Sequence, residues 1–133
     1  MNNRYLYRAK RTDNAEWVEG YYAVARDRKG LTQHNILIAD NDLGYFKWIV
    51  VDQSTICQCT GLKKLFEKDI VKRTDIHKVG EPSIGIIEYD VENTAFVIRW
   101  IDKEKYSPMY PWKDKIEVIG NVIDNPELLE VGE

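Results

Sequence analysis

The chain has 133 residues, 44% hydrophobic and 31% charged, with a formal net charge of −3; this is the make-up of one soluble domain, or of two small subdomains sharing a core. At this size enough surface is buried on folding that no disulfide or metal staple is needed. The N-terminus MNNRYLYRAK has no apolar signal core, and the purely apolar runs, 36–39 and 48–51 among them, fall far short of the roughly 20 residues of a membrane-spanning helix, so the cytoplasm is the expected location.

In chain order, residues 4–10 alternate around Tyr5, Leu6 and Tyr7 and read as a first strand. Thr12, Asp13 and Asn14 supply turn chemistry, because short polar side chains close a turn on their own backbone. Residues 16–25 (EWVEGYYAVA) form a second strand, with Gly20 as a bulge or kink. Residues 27–30 are a charged turn, 35–39 a third strand, 40–44 (DNDLG) a strong turn signal, and 45–51 a fourth strand.

Residues 54–73 divide the chain. Residues 55–59 look like a short strand. Leu62, Leu65, Phe66 and Ile70 then fall at helical spacing over about two turns, which suggests a helical turn running into a strand near Asp69. Beyond it, 79–83 read as loop and 83–89 as strand. Residues 95–101 are the clearest strand, with Phe96, Ile98 and Trp100 on one face and Val97, Arg99 and Ile101 on the other. Residues 102–113 read as a long loop and 115–119 as a last strand. Asn125-Pro126-Glu127 carries helix-start chemistry, an Asn cap followed by Pro and an acidic first turn, and predicts a short helix over 127–130. Many short strands at this spacing suggest a mainly β small barrel or sandwich, divided at 66/67 into subdomains 1–66 and 67–133.

The composition is weak in catalytic signatures. Cys57 and Cys59 in C-x-C spacing would share a strand face, a poor geometry for a mutual disulfide, so reduced thiols are expected. With His34 and His77 they lack the spacing of a structural zinc site, so no metal or other cofactor is expected. Cys57 or Cys59 with His77 is a formal nucleophile pair, but no G-x-S-x-G elbow and no phosphate-cradling glycine loop is present. Asp69 is the one carboxylate worth flagging for acid/base work; capping a turn is its simpler use. No catalytic residue is therefore assigned.

Residues 1–66 hold ten Lys/Arg against seven Asp/Glu and residues 67–133 nine against fifteen, so the halves carry +3 and −6. An acidic second half is unsuited to tracking a phosphate backbone. In the first half Arg4, Arg8, Lys10, Arg11, Arg26, Arg28 and Lys29, beside Tyr5 and Trp17, have the cation-and-ring mixture of single-strand nucleic-acid binders. Tyr106, Tyr110 and Trp112, stiffened by Pro108 and Pro111, are candidates for a protein-partner surface; the alternative is a lid whose rings fold back onto the barrel. Tyr7, Tyr21, Tyr22 and Tyr45 read most simply as sheet-face packing.

Four segments in order resemble the YopX family of phage and prophage proteins: Glu16-Trp17-Val18-Glu19-Gly20-Tyr21; Gln58 with Thr60-Gly61-Leu62-Lys63; Phe66-Glu67 with Asp69-Ile70-Val71; and Ile116 through Val122 with Asn125-Pro126-Glu127-Leu128-Leu129. The chain departs from the family pattern in the middle, where Cys59 replaces an aromatic, the turn is shortened, and Lys68 stands where the family usually has Gly. The resemblance implies a mainly β fold whose second half looks like an SH3-like small barrel, a setting in the cytoplasm of a bacterial host, and no known activity. With the residue-level reading, it leads to the expectation of a non-enzymatic protein-interaction or self-assembly module that forms homo-oligomers or takes a protein partner; nucleic-acid binding by the basic first half is the alternative.

Overall fold

The computed structural model describes residues 5–40, 42, 44–62, 64–75, 83–101 and 105–129. The chain is mainly β and divides into two compact units, residues 1–59 and 60–133; each has one antiparallel sheet.

In the first unit β1 (Tyr7–Lys10), β2 (Trp17–Arg26), β3 (Thr32–Asp40), β4 (Tyr45–Val50) and β5 (Cys57–Gln58) stand in the order β4-β3-β2-β1-β5. The turns are built as their residues dictate. Asp27 Oδ1 accepts from the Lys29 and Leu31 amides, both at 2.9 Å, and Gly30 and Gly44 take φ of 81° and 73°, values that cost a Cβ-bearing residue steric strain. Alternate residues turn inward: Ala9, Ile36, Ile49 and Val51 are buried, with Tyr7, Val18, Tyr22, Ile38 and Ile56 packed around them. The sheet curls so that the end of β4 returns to the end of β1, through a bridge between Arg11 and Val51 and a bond from the Asp52 amide to the Lys10 carbonyl (2.9 Å). Gly20 is a point of close approach between strands: a Cβ there would lie 2.3 Å from the Leu37 carbonyl oxygen.

In the second unit β6 (Asp69–Arg73), β7 (Ile84–Asp90), β8 (Ala95–Trp100), β9 (Lys105–Pro108) and β10 (Ile116–Asn121) follow the order β10-β6-β7-β8-β9. Val71, Ile87, Ile98 and Trp100 form the buried side, closed by Leu65 and Met109, with Leu62, Phe96, Trp112 and Ile116 at its margin. The alternation expected in β8 is therefore realised, with Phe96, Ile98 and Trp100 facing the core. Trp100 donates its indole N–H to Ser107 Oγ at 2.9 Å, which satisfies the one polar atom of a fully buried ring.

Four local expectations are corrected. The segment 102–113, expected as a long loop, contains β9 and a 3-10 turn at Tyr110–Trp112; Pro108 ends an edge strand, where a missing N–H costs no ladder bond. The described residues among 62–70 form no helix: Leu62 N–H bonds Thr60 Oγ1 (3.1 Å) and Phe66 N–H bonds Asp69 Oδ2 (2.9 Å), side-chain bonds that compete with a helical ladder. Residues 55–59 split into a 3-10 turn, Gln53–Thr55, and the two-residue β5. The short terminal helix is present as a 3-10 helix, Pro126–Leu129, but the Asn125 side chain does not cap it as expected: its Oδ1 reaches back to the Asn121 amide (3.2 Å). His77, Arg4, Glu130 and most of the loop 79–83 lie outside the described residues.

Candidate functional site

A strand paired on both sides and packed on one face has its other face left to solvent, so residue parity decides what the protein presents. In the first unit the row Tyr22–Ile36–Ile49 faces inward, by the register of β2, β3 and β4. The next row, Tyr21–Leu37–Trp48, therefore faces outward. Tyr21 is 54% exposed, Trp48 55% and Phe46, which stands opposite Ala39, 44%. Tyr21 and Phe46 meet edge to face with ring centroids 6.2 Å apart. Val50 extends the same face, opposite the buried Asn35; Tyr45, exposed at the start of β4, has the other parity and is no part of this face. The result is a contiguous aromatic and aliphatic patch on a sheet face, the type of surface that marks an interaction site.

The four tyrosines read as sheet-face packing thus part company. Tyr7 and Tyr22 pack against the core, 5.5 Å apart, and Tyr22 stacks on His34 with its hydroxyl 2.5 Å from Nδ1. Tyr21 and Tyr45 are outside. Adjacent residues such as Tyr21 and Tyr22 must point to opposite faces of a strand; which of them is inside follows only from the register with β3.

The loop candidates also separate. Trp112 folds back on the core of the second unit, its ring 5.0 Å from Trp100 in an edge-to-face pair; the guanidinium of Arg73 lies 4.8 Å from its centroid, and Arg73 is paired with Asp75 at 2.8 Å. Tyr106 and Tyr110 are 64% and 67% exposed. Tyr106 stands between two open clefts, one rimmed by Glu88, Asp90 and Glu92, the other by Phe96 and Pro108. Glu88 is engaged by Arg99 at 2.7 Å, and Asp90 accepts from the Glu92 and Asn93 amides.

The basic residues of the first half lie in two groups. Arg8 and Lys10 sit over the Trp17 ring at 4.9 and 5.5 Å, and Arg11 makes a two-point pair with Asp13 at 2.9 and 2.8 Å. Arg26, Arg28 and Lys29 are at the other end of β2, about 30 Å away at the rise of a strand.

Asp69 is buried and engaged by local structure: its Oδ2 accepts from the Phe66 amide at 2.9 Å, and its own amide bonds the Phe66 carbonyl at 3.1 Å. Cys57 and Cys59 are both buried and are not joined in a disulfide. Among the described residues no group of three His, Cys, Asp or Glu is arranged to hold a metal ion, and no helix is long and apolar enough to cross a membrane. Asp13, Asp52 and Asp75 titrate below the usual range. Hydrogen bonds from Arg11 lower Asp13, those from Ser54 lower Asp52, and those from Arg73 lower Asp75.

The C-terminal segment that carries the most specific motif proves to be an interlock. A Cβ on Gly120 would lie 2.6 Å from Asn125 Oδ1 and 3.0 Å from Leu128, so only glycine lets the terminal turn close on β10. Asn121 Oδ1 accepts from the Ile123 and Asp124 amides at 3.0 and 2.8 Å, and the Asn125 amide bonds the Asn121 carbonyl at 2.8 Å. The conformations in the central motif are as specific: Gly61 takes φ 88° and Lys68 takes φ 72°. No curated protein and no solved structure matches the chain. Residues 6–130, which include all of these motifs, match the family described as YopX protein, and the chain belongs to the YopX family.

Proposed function

We propose that this chain is a non-enzymatic protein-interaction module, encoded by a phage-type element and acting in the cytoplasm of its bacterial host. The observation that carries this reading is the outward row Tyr21–Leu37–Trp48 with Phe46 beside it. Rigid aromatic side chains on a sheet lose little entropy on docking and bury much area, which is why Trp and Tyr dominate binding hot spots. Tyr106 and Tyr110 offer a second, smaller partner surface, with Trp112 holding their loop against the core. The second unit is, on this reading, an SH3-like small barrel: five strands run in order with the last returning to the first, and a 3-10 turn precedes that last strand. The employment of Asp69 as a turn cap supports a non-catalytic role for it.

The test is in-cell photo-crosslinking with a photoreactive amino acid at Trp48, with Lys72, exposed in the second unit and outside both surfaces, as the control position. The expected result is a discrete protein adduct at 48 that is lost when Phe46→Ser thins the patch. Absence of any adduct above that at 72 overturns the reading. An adduct removed by nuclease would replace it with nucleic-acid binding, the cations Arg8 and Lys10 around Trp17 then being the favoured contact.

A further inference from the structure

The outer face of β2, β3 and β4 is apolar in its middle and oppositely charged at its two ends. The turn from β2 to β3 carries Arg26, Arg28 and Lys29 against Asp27, a formal +2. The turn from β3 to β4 carries Asp42, and no Lys or Arg occurs between Gly30 and Phe46. Because successive hairpin turns lie at opposite ends of the strand they share, these charges are separated by the length of β3, Thr32–Asp40, about 27 Å at the rise of a strand. The row Tyr21–Leu37–Trp48 crosses the strands between them.

We propose that this face, the docking surface of the reading above, is occupied by the same face of a second copy of the chain, the two related by a two-fold axis that lies in the interface and perpendicular to the strands. A two-fold contact must use one patch on both partners, so the patch has to be complementary to itself. This face is. Rotation about that axis runs the strands of the two copies antiparallel and lays the basic turn of each over the acidic turn of the other. It leaves Tyr21, Leu37, Phe46 and Trp48 to pack across the centre, as the inner faces of a sandwich do. A two-fold along the strands would instead set basic turn on basic turn, and like charges brought together cost affinity and reject that arrangement. Lys47, which by parity points away from this face, guards the β4 edge against edge-to-edge pairing, so the face rather than the edge is left for assembly.

The test uses the purified full chain, with its mass followed across a concentration series by sedimentation or light scattering at low and at physiological salt. The expected result is a reversible dimer of twice the chain mass. Trp48→Ser should weaken it by about 30-fold or more, the loss of one hot-spot side chain. Arg28→Glu and Asp42→Lys should each weaken it by about 5- to 10-fold and more strongly at low salt, while the double variant Arg28→Glu/Asp42→Lys, which restores opposite charges across the axis, should return to within about twofold of the wild type. Both charges sit in exposed turns, so these variants remain informative if the patch variant fails to fold. A chain that stays monomeric, or single reversals that the double variant does not rescue, would overturn the proposal. A monomer that still gives the protein adduct at position 48 in cells removes self-association alone; a monomer without that adduct removes the docking reading as well.

Discussion

Lys68 shows how one residue reports on a turn. It has φ 72°, its amide bonds the Ile87 carbonyl at 2.8 Å and its carbonyl accepts from the Val122 amide at 2.9 Å, so three segments hold it in a conformation that glycine adopts at no steric cost. Lys68 stands where the family usually has Gly, and the backbone keeps the left-handed conformation and bears the strain. Lys68→Gly should raise stability by about 0.5–1 kcal/mol, the left-handed penalty of a Cβ less the added chain entropy of glycine, measured by denaturant unfolding. A destabilised variant would mean that the lysine side chain contributes more than its backbone costs. Thr94, β-branched at φ 51°, predicts a gain of similar sign for Thr94→Gly.

At the scale of elements, the segment 105–112 was the hardest to read, because its tyrosines, prolines and charges are also those of a loop. Its structure rests on two contacts outside its own sequence: Ser107 meets the Trp100 indole, and Trp112 meets the Trp100 ring. Ser107→Ala should cost about 1–3 kcal/mol by leaving a buried N–H unbonded. Trp112→Ala should cost about 2–4 kcal/mol through lost packing, whereas Tyr110→Ala, exposed in the same turn, should stay within about 0.5 kcal/mol. Thermal melts of the three variants separate the supporting ring from the presenting one; equal losses at 110 and 112 would contradict the division drawn here.

At the scale of the whole molecule, acid should loosen the fold through particular carboxylates. Asp13, Asp52 and Asp75 are held below the ordinary Asp value by Arg11, Ser54 and Arg73. A carboxylate lowered in the folded state contributes fully above its unfolded value, about 3.9, and its contribution disappears as pH falls through the folded value. Melting temperature should therefore be flat from neutral pH to about 5 and decline below about 4, with a shallower decline in Asp52→Asn. An unchanged slope in that variant would mean that the Ser54 bonds do not couple to folding.

Much of the fold could be read from the sequence where the information is local. β-branched and aromatic runs between Asx- and Gly-containing turns mark most of the strands, and the alternation Phe96, Ile98, Trp100 already names the buried side of β8. The glycines at 30, 44 and 61 announce turns because positive φ is a property of one residue. What the sequence could not supply was set by pairing between segments far apart in the chain. Tyr21 and Tyr22 are chemically the same, and only the register of β2 with β3 sends one into the core and the other to the surface. The cations of the first half look like one cluster in the sequence, yet β2 separates Arg8 and Lys10 from Arg26, Arg28 and Lys29. The sequence by itself determined the mainly β class, the turns and the family motifs; the tertiary structure alone decided which rings are core and which are surface, because parity has meaning only after a strand has a neighbour.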